Sequence, residues 1–349
     1  MRYYDFLSIL CNSTSITGAE ARDHKPLIDA LSPYFDRVET DRLGNLIGYL
    51  DAKKPNAPLL MIDAHFDQIG LMVTDQKEGG FLSFTSVGGV DTRILPATDV
   101  TVHGTKDLFG VISSTPPHLR KPDDADKLTP AEGLLIDCGI MDKDVLAELA
   151  PVGSPVSFRV PLARLQKGRL TGAGLDNKAC GAAACLFAST VNKEDLLCNV
   201  AVVLSTFEEV GGKGAVTSAY ALDPDLAVVL DVNFAKAPGV DGKESIKMGD
   251  GPSVSLSVLT HRGLSKRAIA LAKEKDIPVQ TIVEVGNLGT NGNNSPLQRC
   301  AIATVNMSMP LSSMHTPAEI VCEEDGEALA RLLTALACDK EFCEWEVEQ

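Results

Sequence analysis

Two rhythms of apolar and polar residues divide the chain. Near the N-terminus, apolar positions at helical spacing predict helices over residues 3–11 and 19–33, the second preceded by Ser15 and Thr17. A short strand pair follows near 36–50, with a turn at Asp41-Arg42-Leu43-Gly44. The apolar run Ala57-Pro58-Leu59-Leu60-Met61-Ile62-Asp63-Ala64 then enters His65 as a buried strand. The same alternation returns late in the chain. It predicts an Ala- and Cys-rich helix from Asp176 to Thr190, a strand Asn199–Thr206, a helix opening over Gly211–Ala219 and a strand Leu226–Leu230 ending at Asp231. A helix Leu264–Lys275, strands over 279–285 and 300–306, and a closing helix over 323–338 complete the pattern.

From about residue 70 to 160 the texture changes. Segments 70–74, 81–85, 99–103 and 109–113 are short, rich in Val, Ile, Thr and Phe, and punctuated by Gly and Asp. They predict a small β domain of barrel type. Buried strands alternating with helices predict an α/β fold whose mostly parallel central sheet is covered on both faces. The expected division is a discontinuous α/β domain, 1–69 with 160–349, interrupted by an inserted β domain over 70–159. Ligands in such folds gather beyond the carboxyl ends of the strands.

Several residues with metal-binding chemistry fall at those ends. His65 follows a buried strand, Asp176 lies between Thr171-Gly172-Ala173-Gly174 and a helix, and Glu208-Glu209 follow the strand Val200–Phe207. Asp231 closes the next strand and His315 lies in a loop beyond 300–306. Two imidazoles and several carboxylates suit divalent ions such as zinc, cobalt or manganese. Two ions held about 3.5–4 Å apart need a bridging group, and a carboxylate can bridge with its two oxygens. Asp176 is the natural candidate. The Glu208-Glu209 pair supplies one carboxylate for metal and one to take a proton from water. Asp67 is placed to accept the other N–H of His65, and Gly211, Gly212 and Gly214 let backbone approach closely. Each residue also has a structural explanation. Asp176 reads as an N-cap, the Glu pair as a solvated surface, Asp231 as the start of a turn, and each histidine as a packed side chain. His103, His118 and His261 are left in that category.

Composition removes other classes. The 349 residues carry 32 basic and 47 acidic side chains, a net charge of -15, so the mean field repels nucleic acid and anionic membranes. Nine cysteines without a CxxC pair imply buried reduced thiols, and with no signal-like or membrane-length apolar run the cytoplasm is the expected address. No dinucleotide fingerprint, Walker sequence or nucleophile elbow is present. Cys180 reads as a small buried residue.

At these residues the chain resembles the M42 family of metallo-aminopeptidases, the glutamyl or deblocking group, some of whose relatives carry the name endoglucanase. The family's His-x-Asp-Glu-x-Gly matches His65-Phe66-Asp67-Gln68-Ile69-Gly70, with Gln for Glu. Leu-Asp-[Asp/Asn]-Arg matches Leu175-Asp176-Asn177-Lys178, with Lys for Arg, and Glu-Glu-Val-Gly-x-x-Gly-Ala matches Glu208 through Ala215. Asp231-Val232, Ala237-Pro238-Gly239 and Pro116-Pro117-His118-Leu119 match further elements in the family's order. Two departures stand near the expected substrate pocket: Gly289-Thr290-Asn291-Gly292 replaces Gly-Thr-Asp-Ala, and Ser312-Ser313-Met314-His315 replaces Arg-Tyr-Ile-His.

The resemblance implies a zinc-peptidase α/β sandwich with an inserted β-barrel that serves dimerisation and assembly. It implies two divalent ions per subunit, zinc or cobalt foremost, with manganese also compatible. His65 and Asp231 would bind one ion, Glu209 and His315 the other, and Asp176 would bridge. Glu208 would be the general base and Asp67 would orient His65. The implied substrates are short or unfolded peptides, cleaved at the N-terminal residue, and the implied assembly is a dimer-based homo-oligomer of up to twelve subunits. A metal-dependent deacylase or other amidohydrolase, a glycoside hydrolase using two carboxylates, and a non-catalytic binding protein on the same fold are the competing expectations.

Overall fold

The structure is a computed structural model; it describes residues 1–119, 129–240, 242, 245–299 and 301–345. Cys300, at the start of one expected strand, and part of the expected insertion lie outside the described residues.

The chain opens with α1 (Tyr3–Cys11) and α2 (His24–Leu31). The continuous helix expected over 19–33 is instead a 3-10 turn at Glu20–Asp23, then α2, then a second 3-10 turn at Ser32–Tyr34. Pro33 supplies no amide donor, which is why the α-helical ladder stops there. Next come β1 (Arg37–Thr40), β2 (Leu46–Leu50) and β3 (Leu59–His65). The insertion then supplies β4 to β9, described below. The chain continues through β10 (Ala163–Arg164), β11 (Arg169–Gly172), α4 (Leu175–Thr190), β12 (Asn199–Ser205), α5 (Lys213–Leu222) and β13 (Leu226–Phe234). It ends with β14 (Ser253–Ser257), α6 (Arg262–Glu274), β15 (Gln280–Glu284), β16 (Ala303–Leu311), β17 (Glu319–Cys322), α7 (Glu323–Ala337) and α8 (Lys340–Cys343).

The eight-stranded central sheet has the order β1-β2-β12-β3-β13-β16-β14-β15. Its middle, β12-β3-β13-β16, is parallel throughout, and antiparallel pairings occur only where β2 meets β1 and β12 and where β14 meets β16. The middle strands are buried along almost their whole length, so their sequences are continuous apolar runs rather than alternating ones. One face is covered by α1, α4, α6 and α7, whose buried leucines and alanines join Ile62, Val202, Val228 and Val305 in one core. The other face is covered by α5, where Ala219 packs with Met61, Val203 and Ala227. The small side chains of α4, among them Cys180 at 0 % exposure, let that helix lie close to α1, α7 and the sheet.

The middle segment forms a closed six-stranded barrel in the order β4-β5-β8-β7-β6-β9: β4 (Gly70–Lys77), β5 (Phe81–Val87), β6 (Asp99–His103), β7 (Asp107–Ser113), β8 (Leu135–Asp137) and β9 (Pro155–Phe158). Leu71, Val73, Phe84, Val102, Ile112 and Ile136 fill it, and α3 (Lys143–Leu149) adds Leu146. β5 leaves the barrel at Val87, and Gly88-Gly89 then pass beside Glu209 and His315. Parallel pairing in register brings His65 opposite Ser205 and Asp231 opposite Ser308. The ends of β3, β12, β13 and β16 therefore deliver their following residues to one rim of the sheet.

Candidate metal centre

All the candidate ligands meet at that rim, on either side of Asp176. His65 Nε2 lies 3.2 Å from Asp176 Oδ1 and 3.6 Å from Asp231 Oδ1. His315 Nε2 lies 3.6 Å from Asp176 Oδ2 and 3.6 Å from Glu209 Oε2. The donors thus form two clusters, His65-Asp176-Asp231 and Asp176-Glu209-His315, with one oxygen of Asp176 turned to each. Asp176 is not the N-cap its position suggested. It and Asn177 have non-helical backbone angles within α4, and the cap is Gly174. Asp231 lies inside β13, which runs on to Phe234, so it does not close the strand as expected. Cys180 donates to the Asp231 carbonyl at 3.0 Å, which ties α4 to β13 beneath the clusters.

The Glu208-Glu209 turn is held from below by Asp67. Its Oδ1 accepts the Glu208 backbone N–H at 3.1 Å and its Oδ2 accepts that of Glu209 at 3.3 Å, while Thr17 Oγ1 donates to Oδ2 at 2.8 Å. Imidazole Nδ1 of His65 lies 3.1 Å from the Asp67 carbonyl oxygen and 3.5 Å from its carboxylate. The orienting contact expected of the Asp67 carboxylate is therefore made more closely by its backbone, and the carboxylate mainly fixes the glutamate turn. Gly211 has φ +110, and a Cβ on Gly214 would stand 2.3 Å from the Thr206 carbonyl oxygen, so neither position accepts a larger residue without movement.

Burial and mutual repulsion make this an unfavourable place for so many anions. Burial first, then neighbouring carboxylates, push Glu208 up to about 8 and Glu209 up to about 10. Asp231 is raised for the same reasons. For His65, burial acts downward, but Asp176, Asp231 and Asp67 around it more than offset this and hold it well above its usual range. Asp176 Oδ1 is buried and accepts no well-formed hydrogen bond from the described residues. Nitrogen and carboxylate donors, an orphaned carboxylate oxygen and a surplus of negative charge fit two divalent cations.

Four supporting features were not among the expected site residues. Glu319 is 1 % exposed, and its two oxygens accept the backbone N–H groups of His315 at 3.1 Å and Asp176 at 3.0 Å. Gly89 leaves room for the His315 ring, since a Cβ there would stand 2.6 Å from Nδ1. Lys178, fully buried, points its Nζ at Gln68 Oε1 and donates to the Ser13 carbonyl at 3.2 Å. The two family departures at Gln68 and Lys178 are thus one contact. Lastly, Asn291 Nδ2 donates to Asp63 Oδ2 at 2.9 Å and to Ser205 Oγ at 3.1 Å. Burial pushes Asp63 up to about 6. An aspartate at 291 would set a second carboxylate against that buried one. The only hint of this in the sequence was a charged residue within the apolar run before His65. Of the histidines set aside, His103 lies in the barrel, where its ring contacts Asp107 and Ser157, and His261 caps α6.

Both clusters and Glu208 line one cavity of about 550 Å³, closed on its far side by the end of β15 and the loop that follows it.

Known proteins share this fold. The chain is 29% identical over 338 residues to a lysyl aminopeptidase of Pyrococcus furiosus, covering 95% of this chain and 96% of that protein. The crystal structure of a TET aminopeptidase from a marine sediment thaumarchaeon superposes with a TM-score of 0.90, at 26% identity over 98% of each chain. The TET1 peptidase of Pyrococcus horikoshii, described as assembling into a tetrahedron or a large octahedral shell, superposes at 0.83 with 28% identity, covering 96% of this chain and 99% of that one. With the family model for M42 glutamyl aminopeptidases matching residues 44–332 of a chain so folded, the protein belongs to the M42 family.

Proposed function

We propose that the protein is a dinuclear metal-dependent aminopeptidase, with Asp176 bridging, His65 and Asp231 completing one site, and Glu209 and His315 the other. The observation that carries this reading is the division of Asp176: its two oxygens face two separate imidazoles, while Glu208 lines the same cavity and belongs to neither cluster. The mixed nitrogen and oxygen donors suit zinc or cobalt, and manganese is compatible. When bound, the ions polarise the scissile carbonyl, offset charge on its oxygen and make water easier to ionise. The protein supplies the rest. The carboxylate of Glu208 takes a proton from the attacking water and passes it to the leaving amide nitrogen. Asp67 anchors the backbone N–H groups of both Glu208 and Glu209, which fixes where the two side chains leave the turn.

The test is Glu208→Gln. This variant should retain two ions per subunit by elemental analysis and lose hydrolysis of free-amino peptides. Retained turnover would remove Glu208 from its role, and a metal-loaded wild-type enzyme inert on a broad peptide panel would remove the peptidase reading. A glycosidase would leave the two histidines without a task, and chelation would not inhibit it.

We further infer that the protein is a homo-oligomer, dimer-based and extending to twelve subunits, with the 70–159 insertion providing contacts. The large apolar side chains exposed on this segment support it: Phe109, Leu119, Met141, Val145 and Val152. The shells described for Pyrococcus horikoshii TET1 are compatible with it. Light scattering on Met141→Asp/Val152→Asp should show smaller particles than wild type; equal mass would remove the insertion from the interface. Eight described cysteines are free, which fits the cytoplasm; no described helix is long and apolar enough to cross a membrane.

A further inference from the structure

Strand β12 ends at Ser205, and Glu208 follows just beyond it. Past the strand end, four consecutive backbone N–H groups each meet a side-chain oxygen. That of Thr206 donates to Asn45 Oδ1 at 2.9 Å, and that of Phe207 to Glu20 Oε1 at 3.3 Å. Those of Glu208 and Glu209 go to the two oxygens of Asp67. Asn45 and Asp67 are 0 % exposed and Glu20 is 3 % exposed, so these acceptors are set by the fold rather than by solvent. Burying a carboxylate is unfavourable unless its oxygens are satisfied. For Glu20 this is done by backbone, since the N–H groups of Gly18 and of Glu20 itself face it along with that of Phe207.

Phe207 requires such an anchor. Its φ of +58 and ψ of +26 place a residue with a Cβ in the left-handed region, a conformation glycine alone takes without steric cost. If Phe207 relaxed to a commoner conformation, the chain would leave in another direction, and Glu208 is the next residue. Glu20 is itself held. The Gln68 N–H donates to the Ser15 carbonyl at 2.8 Å, the Thr17 N–H to the Gln68 carbonyl at 3.2 Å, and the Ala19 N–H to the Ile16 carbonyl at 2.8 Å. Gly18 makes the turn at φ +88, and a Cβ there would come within 3.9 Å of the Phe207 ring. Thr17 Oγ1 donates to Asp67 Oδ2 in the same segment. Residues 15–20 therefore grip the glutamate turn twice, through Thr17 and Asp67 and through Glu20 and Phe207.

Building on the aminopeptidase reading, we infer that Glu20 is a positioning residue for the reaction: it holds Phe207 in its left-handed conformation and so fixes where the Glu208 carboxylate stands. Kinetics of the metal-loaded full-length enzyme on the best substrate of a free-amino peptide panel test this. Glu20→Ala should lower kcat by about 10- to 100-fold, the effect of misplacing a reacting group by about 1 Å, with KM and two bound ions per subunit unchanged. Glu20→Leu, which fills the space without an acceptor, should do the same. Glu20→Gln, which keeps an oxygen for the Phe207 N–H, should restore most of kcat. In a Phe207→Gly background the left-handed conformation has no steric cost, so the loss caused by Glu20→Ala should shrink by about 5-fold, within the range of coupling between contacting residues. Unchanged kcat in Glu20→Ala, or an equal loss in both backgrounds, overturns the role of Glu20 and leaves the aminopeptidase reading intact. Loss of metal in step with kcat overturns it as well, because the segment then supports the ligand Glu209 instead. Failure of both Glu20→Ala and Glu20→Leu to fold, read by circular dichroism, overturns it in favour of a purely structural anchor. A wild-type enzyme inert on the whole panel overturns both readings.

Discussion

Glu319 Oε2 accepts the backbone N–H of Asp176 at 3.0 Å, across 143 positions of sequence. Its other oxygen accepts the N–H of His315 at 3.1 Å, so one buried carboxylate holds Asp176, which both clusters share, and His315 of the second cluster at once. Replacement by glutamine removes one acceptor and turns an amide NH2 toward a backbone N–H. Glu319→Gln should weaken metal affinity by about 10- to 100-fold, the usual effect of losing a group that orients ligands. Titration calorimetry on the chelated protein checks this, with circular dichroism to verify folding. Unchanged affinity at both sites would show that the loop keeps its shape without Glu319.

That contact also marks where sequence reading stops. His65, Asp176, Glu208-Glu209, Asp231 and His315 were legible because each combines metal-binding chemistry with a strand end or loop, and because motifs fix their order. The parallel centre of the sheet was legible from its unbroken apolar runs. Glu319 was not: it opens a short strand that carries no periodic signal, and its partners are backbone groups distant in sequence. Gly88-Gly89 gave no sign of purpose because the relevant atom is the one a glycine lacks. The strands Ser253–Ser257 and Glu319–Cys322 and the helix Lys143–Leu149 are too brief for periodicity to separate from loop. The edge pairings that make the sheet mixed depend on which strands meet, and composition does not encode that.

The Lys178–Gln68 contact makes a prediction about coupled departure from the family pattern. Both residues are buried, and each replaces a member of an Arg and Glu combination in the motifs the chain otherwise matches. Lys178→Arg alone must fit a wider group into a closed site and should cost about 1–3 kcal/mol. Adding Gln68→Glu gives the guanidinium a carboxylate partner and should recover at least about 0.5 kcal/mol, the lower range of coupling for residues in contact. Urea unfolding of the two single variants and the double variant measures it. Simple additivity would show that the two substitutions are independent.

Removing the metals should make stability fall with rising pH. In the metal-free protein, burial first holds Glu208 and Glu319 at about 8 and Glu209 at about 10, against an ordinary value of 4.5. Between those limits the folded chain binds more protons than the unfolded chain, so raising the pH favours unfolding. The contribution is complete below the unfolded value and disappears as pH passes the folded ones. Thermal melting of chelated protein should therefore give a Tm that drops from about pH 5 to about pH 9. Metal should raise Tm more at the alkaline end, where the carboxylates it neutralises are otherwise ionised. A flat profile for the chelated protein would show that the carboxylates are hydrated rather than buried.

Gly89 offers a way to disturb one cluster and spare the other. A Cβ at this position would stand 2.6 Å from His315 Nδ1 and 3.0 Å from Cε1. Its φ lies outside the left-handed region, so alanine introduces crowding without backbone strain. The ring has to move, because the atom it meets is attached to the backbone of the segment leaving β5. His65 and Asp231 make no such approach to Gly89. Gly89→Ala should therefore weaken one of two binding steps by about 10- to 100-fold, comparable to misplacing a ligand through its supporting contacts, and leave the other near wild type. Calorimetric titration with zinc resolves the steps, and substitution with cobalt gives separate absorption bands for each. Equal weakening of both sites would mean that Asp176 follows His315 when the ring moves, and that the two clusters act as one unit.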